Sequence, residues 1–67
     1  MTGKVVHFTT VRGYGFIRPE GGGRDIFVHI SAIDPASMPL GVDDTVQFTT
    51  MQDQRTGKLR ALNVRRV

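Results

Sequence analysis

Cysteine and tryptophan are both absent from the 67 residues. Without thiols, neither a disulfide nor a thiolate metal site can brace the fold. Packing must then supply nearly all of the stability, which for a domain this small is only about 3–5 kcal/mol. Long apolar runs are missing too. Nothing in the chain approaches the roughly 20 residues needed to span a bilayer, and the N-terminus has no secretory-signal pattern. One soluble, cytoplasmic domain over residues 1–67 is expected, with no membrane partner. No segment carries a sustained helical period with caps, and Ser31-Ala32-Ile33 has room for one helical turn at most.

Catalytic equipment is equally scarce. The chain has no cysteine nucleophile and no serine set in a hydrolase motif with histidine and carboxylate. His7 and His29 fall on different predicted strands, with no third histidine or cysteine to complete a metal site. Gly21-Gly22-Gly23 lacks the Lys-Ser/Thr and the following helix of a phosphate loop, and reads instead as a hairpin turn. No enzyme activity, metal, cofactor or small-molecule substrate is expected.

What is present is punctuation and β-formers. Turn signals recur at Arg12-Gly13, Glu20-Gly21-Gly22-Gly23, Asp34-Pro35, Pro39-Leu40-Gly41 and from Gln52 to Gly57. Between them lie short runs rich in Val, Ile, Phe, Tyr and Thr. These predict strands over Lys4–Thr9, Tyr14–Arg18, Asp25–His29, Thr45–Met51 and Lys58–Val64. Five short strands in so small a chain are best closed on themselves, which removes exposed sheet edges. The expected fold is therefore all-β, a five-stranded antiparallel β-barrel. Asp43 and Asp44 fall in a solvated turn before the fourth strand. Asp25 flanks the face described next or starts its strand, and Arg65 and Arg66 form a solvated tail or an extra phosphate contact.

Two strands carry an informative alternation. In the second, Tyr14, Phe16 and Arg18 share one face and Gly15 and Ile17 the other; in the third, Asp25, Phe27 and His29 oppose Ile26 and Val28. The aliphatics can fill a core, which leaves the rings outside among basic and polar groups. Flat rings stack on bases and guanidinium groups reach phosphates, so this face suits an unpaired nucleic acid strand. The net charge of +3, from nine Lys and Arg against six Asp and Glu, favours a polyanion but is also ordinary for solubility.

Arg12-Gly13-Tyr14-Gly15-Phe16-Ile17 and Ile26-Phe27-Val28-His29-Ile30 resemble the two ribonucleoprotein motifs of the cold-shock domain family, and the similarity runs from Gly3 to Val64. The resemblance implies a barrel of the OB-fold type, acting as a monomer that binds single-stranded RNA or DNA with low sequence specificity. RNA chaperone, transcription or translation regulator, and stress-response roles come with it. It also implies a binding set of His7, Phe8, Arg12, Tyr14, Phe16, Phe27, His29, Ile30 and Met38, with Lys58 and Arg60 adding charge from the last strand. The chain departs from the pattern at Val6-His7-Phe8-Thr9, where Lys-Trp-Phe-Asn is usual, and at Ile30 and Met38, where Phe is common. Phe8 reads also as partly core, and Ile30 and Met38 read equally well as packing residues. A second reading is an N-terminal nucleic-acid-binding or targeting module of a longer protein, with weakened binding.

Overall fold

The aliphatic alternation resolves into strands that each turn one edge of Val, Ile or Leu inward. The computed structural model describes residues 1–67. It contains β1 (Thr2–Thr9), β2 (Tyr14–Pro19), β3 (Ile26–His29), β4 (Thr45–Gln52) and β5 (Leu59–Arg66), with single turns of 3-10 helix at Ile30–Ala32 and Pro35–Ser37. The first of these turns overlaps the segment given room for one; the second, opened by Asp34 accepting the Ala36 N–H, falls at the Asp34-Pro35 turn signal, which predicts a turn but not a helical one.

The strands close into a barrel in the order β1-β2-β3-β5-β4. Four of the neighbouring pairs are antiparallel. The fifth, β3 with β5, is parallel, with Phe27 opposite Arg60. An isolated parallel bridge between Ile33 and Val64 lies beyond it. Direction cannot alternate all the way round a ring with an odd number of strands, so an antiparallel five-stranded barrel must contain one such closure.

The interior holds Val5, Ile17, Ile26, Val28, Ile33, Leu40, Val46, Phe48, Ala61 and Val64. Ile26 and Val28 of β3 point inward beside Ile17 of β2, with Ile17 and Ile26 paired across the two strands, as their alternation requires. Phe48 is the one aromatic ring buried at the centre, at 2% exposure. With no disulfide, this cluster must hold the barrel by burial of apolar surface.

The last strand runs further than expected. Arg65 and Arg66 belong to β5 or its end and are not a free tail. The Arg65 guanidinium donates twice to Gln47 Oε1, at 3.1 and 2.8 Å. Arg66 donates its backbone N–H to the Ser37 hydroxyl at 3.0 Å, and its Nη1 to the Pro39 carbonyl at 3.1 Å and Asp44 Oδ2 at 3.3 Å. Asp44 also accepts the Gly41 N–H at 2.8 Å. Arg66 and Asp44 are therefore spent on tying β5 to the loop before β4, and Arg65 on pairing with β4 itself. No helix is long and apolar enough to cross a membrane.

Candidate nucleic-acid interface

The outer face of β1, β2 and β3 is set by register. Tyr14 lies opposite His29, Phe16 opposite Phe27, and Gly15 opposite Val28. Because successive side chains alternate, burying Ile17 and Val28 forces Tyr14, Phe16, Phe27 and His29 outward. On the other side of β2, simple alternation would put His7 on the same face as Val5, inside the barrel. A β-bulge prevents this. Val5 pairs with Ile17, but His7 pairs with Phe16, so two steps on β1 match one on β2. The extra residue, Val6, reverses the parity. His7 therefore joins the rings outside, and Phe8, opposite Gly15, turns toward the core.

The result is a contiguous group of four rings. Phe27 packs edge-on to both Tyr14 and Phe16, with centroids 5.9 Å apart in each case. Tyr14 and Phe16 are 6.2 Å apart, and His7 lies 6.4 Å from each of them. These distances and tilts suit aromatic contact, and Tyr14, Phe16 and Phe27 stay half-exposed. Gly15 is required beneath them: a Cβ there would strike the His7 carbonyl oxygen and come within 2.6 Å of Phe8 Cδ1. Gly13 holds a φ of 75° in the turn leading into β2. Its carbonyl accepts the Ile30 N–H at 2.8 Å, which ties the Arg12-Gly13 turn to the end of β3.

His29 has its own restraint. Its Nδ1 accepts the Ser31 backbone N–H at 3.2 Å and lies 2.8 Å from the Ser31 hydroxyl, capping the 3-10 turn. Phe8 and Met38 are partly buried and pack against the core, and neither belongs to the group of rings in contact. Ile30 is half-buried, with its side chain beside Gly13.

Cations surround the rings. The chain has two ion pairs, Arg18–Asp25 at 3.2 Å and Arg66–Asp44 at 3.3 Å. Asp25 therefore partners Arg18 at one end of the ring row, while Arg12, Lys58 and Arg60 have no carboxylate partner. Lys58 and Arg60 line a shallow depression of ≈ 290 Å³ that Phe16, Phe27 and His29 floor, and Asp53, Thr56 and Leu59 complete its far wall. Asp53, Thr56 and Leu59 were not among the residues singled out in the sequence; the β4–β5 loop brings Asp53 and Thr56 there, and the pairing of β5 with β3 brings Leu59. A larger depression, ≈ 520 Å³, lies elsewhere on the barrel, lined by residues such as Gln47, Thr49, Asn63 and Arg65. It holds no exposed ring, and Arg65 there bonds Gln47 as Asn63 bonds Thr49. Its size is therefore a poorer guide to function than the chemistry of the smaller depression.

The model of the ‘Cold-shock’ DNA-binding domain family matches residues 1–67. A probable cold shock protein of Sinorhizobium fredii is 38% identical over 64 residues, which covers 94% of this chain and 93% of the relative. Cold shock protein CspA of Rhizobium meliloti is 38% identical over 65 residues, covering 96% and 94%. Cold shock protein 1 of Arabidopsis thaliana is 44% identical over 64 residues, 94% of this chain but 21% of that protein. Among solved structures, Drosophila Unr CSD456 is similar in fold, with a TM-score of 0.80 at 23% identity over 98% of this chain and 26% of that one. With the ring-bearing wall, the two motifs and relatives matched nearly end to end, the chain belongs to the cold-shock domain family of nucleic-acid-binding proteins.

Proposed function

We propose that the wall of His7, Tyr14, Phe16, Phe27 and His29 captures unpaired bases of an RNA or DNA strand, and that Arg12, Lys58 and Arg60 take its phosphates. One observation carries this: four rings in mutual contact lie outside a barrel whose core is already filled by aliphatics and Phe48. Rings left on a surface need a flat apolar partner, and every base has one, so the platform accepts most sequences. Paired bases hide their faces, so duplex is a poor ligand. A monomer holding strands open in this way acts as an RNA chaperone or a regulator of transcription or translation in the cytoplasm. Imidazole stacks over a smaller area than indole, and Ile30 has no ring, so binding is weaker than a fully aromatic wall would give.

A module role inside a longer protein has one observation in its favour: the Arabidopsis relative carries the matched region within a chain roughly five times as long. The two roles share the same binding step. Fluorescence anisotropy with labelled hexamers and octamers tests that step. Single strands are expected to bind and a matched duplex to bind far more weakly; equal affinity for the duplex would overturn it.

A further inference from the structure

The depression beside Phe27 contains one carboxylate, and its position is fixed. Asp53 Oδ1 accepts the Arg55 backbone N–H at 2.8 Å. The Asp53 N–H donates to the Lys58 carbonyl at 2.8 Å and its carbonyl accepts the Gly57 N–H at 2.7 Å. Gln52 Nε2 closes the same loop onto the Gly57 carbonyl at 3.1 Å. The side chain is half-buried, short and held at one oxygen, while Oδ2 has no partner in the chain. Lys58 and Arg60 share the wall but are exposed, long and untied. Ordering a long side chain costs rotamer freedom that a tethered aspartate has already given up. The cations therefore suit mobile phosphate contacts, and the aspartate suits a fixed hydrogen bond at a base edge.

From this geometry we infer that Asp53 reads the edge of a base stacked on Phe27 or Phe16, favouring cytosine over uracil. The two pyrimidines present rings of equal size to the platform, so stacking does not separate them. They differ where cytosine offers the N4 amino group, a donor, and uracil offers O4, an acceptor. A carboxylate accepts from the first and repels the second. This rests on the ring-wall proposal above and adds one point of discrimination to an otherwise tolerant platform. Asp25, the other carboxylate near the rings, has no such role, because its charge is paired with Arg18 at 3.2 Å and it lies outside the depression.

The test is the ratio of affinities for oligo-cytidine and oligo-uridine hexamers at pH 7.5 and fixed ionic strength. A charge-assisted hydrogen bond in a partly solvated site corresponds to about five- to tenfold, so the unaltered protein is expected to prefer cytidine by that factor. Asp53→Asn keeps a side-chain oxygen for the Arg55 N–H, and with it the loop, but removes the charge and offers an amide donor to O4. It is expected to weaken cytidine and tighten uridine, bringing the ratio to about one or below. A purely structural or long-range electrostatic role would move both affinities together and leave the ratio unchanged, which would overturn the assignment. So would an absence of cytidine preference in the unaltered protein, a result that needs no variant to fold. Failure of both hexamers to bind would instead overturn the ring-wall proposal itself.

Discussion

Two walls of this barrel both carry arginine and end in opposite states. Where β4 begins and β5 ends, the polar side chains satisfy one another. Arg65 is held by Gln47, Asn63 Nδ2 donates to Thr49 Oγ1 at 3.4 Å, and that hydroxyl donates to the Leu62 carbonyl at 3.3 Å. On the wall of β1, β2 and β3 with the start of β5, four rings pack against one another and Arg12, Lys58 and Arg60 have no carboxylate partner. Arginine is present on both walls, so charge alone does not distinguish them. What differs is whether the chain has already used it. The satisfied wall is structure, and the unsatisfied one is where the proposed strand would lie.

The sharpest way to break that contrast compares a ring turned inward with rings turned outward. Phe48→Ala removes the one buried ring. Such truncations cost about 3–5 kcal/mol, comparable to the whole stability of a domain this size, so thermal melts should show a chain largely unfolded at room temperature. Phe16→Ala and Phe27→Ala should leave the melt nearly unchanged and weaken single-strand binding by about 1–3 kcal/mol each. If either outer variant unfolds, that ring is structural and the division of the two walls fails.

Charge gives the next contrast. Lys58→Gln and Arg60→Gln should each lower the slope of log affinity against log salt by about 0.7, the value for one phosphate contact on a single strand. Arg65→Gln should leave the slope as it was. The smallest effect is a gain. His7→Trp enlarges the stacking surface at a position 6.4 Å from both Tyr14 and Phe16 and should tighten binding by about 1 kcal/mol. Unchanged affinity in a folded variant would place the ligand away from β1.

The legibility of these walls in the sequence was uneven, for physical reasons. Alternation on β2 and β3 is unbroken, so Ile17, Ile26 and Val28 could be assigned inward and Tyr14, Phe16 and Phe27 outward from period alone. On β1, the bulge at Val6 reverses the parity. His7 could be assigned to the site only by resemblance, and Phe8 could be read either way. Asp53 escaped notice because its place depends on how a loop folds back over Phe27, and no local pattern encodes that. Arg65 and Arg66 look like any basic tail until register sets one opposite Gln47 and the other opposite Val46. Long-range pairing decides which charges are spent, and a linear pattern does not carry it.

The division between walls is tested most directly by following backbone amide resonances while a single-stranded hexamer is titrated into the intact protein. The largest shifts are expected at His7, Tyr14, Phe16, Phe27 and His29 and along the β4–β5 loop through Arg60, with Gln47, Thr49, Asn63 and Arg65 unmoved. Shifts centred on Gln47 and Arg65, with the ring wall silent, would contradict the account.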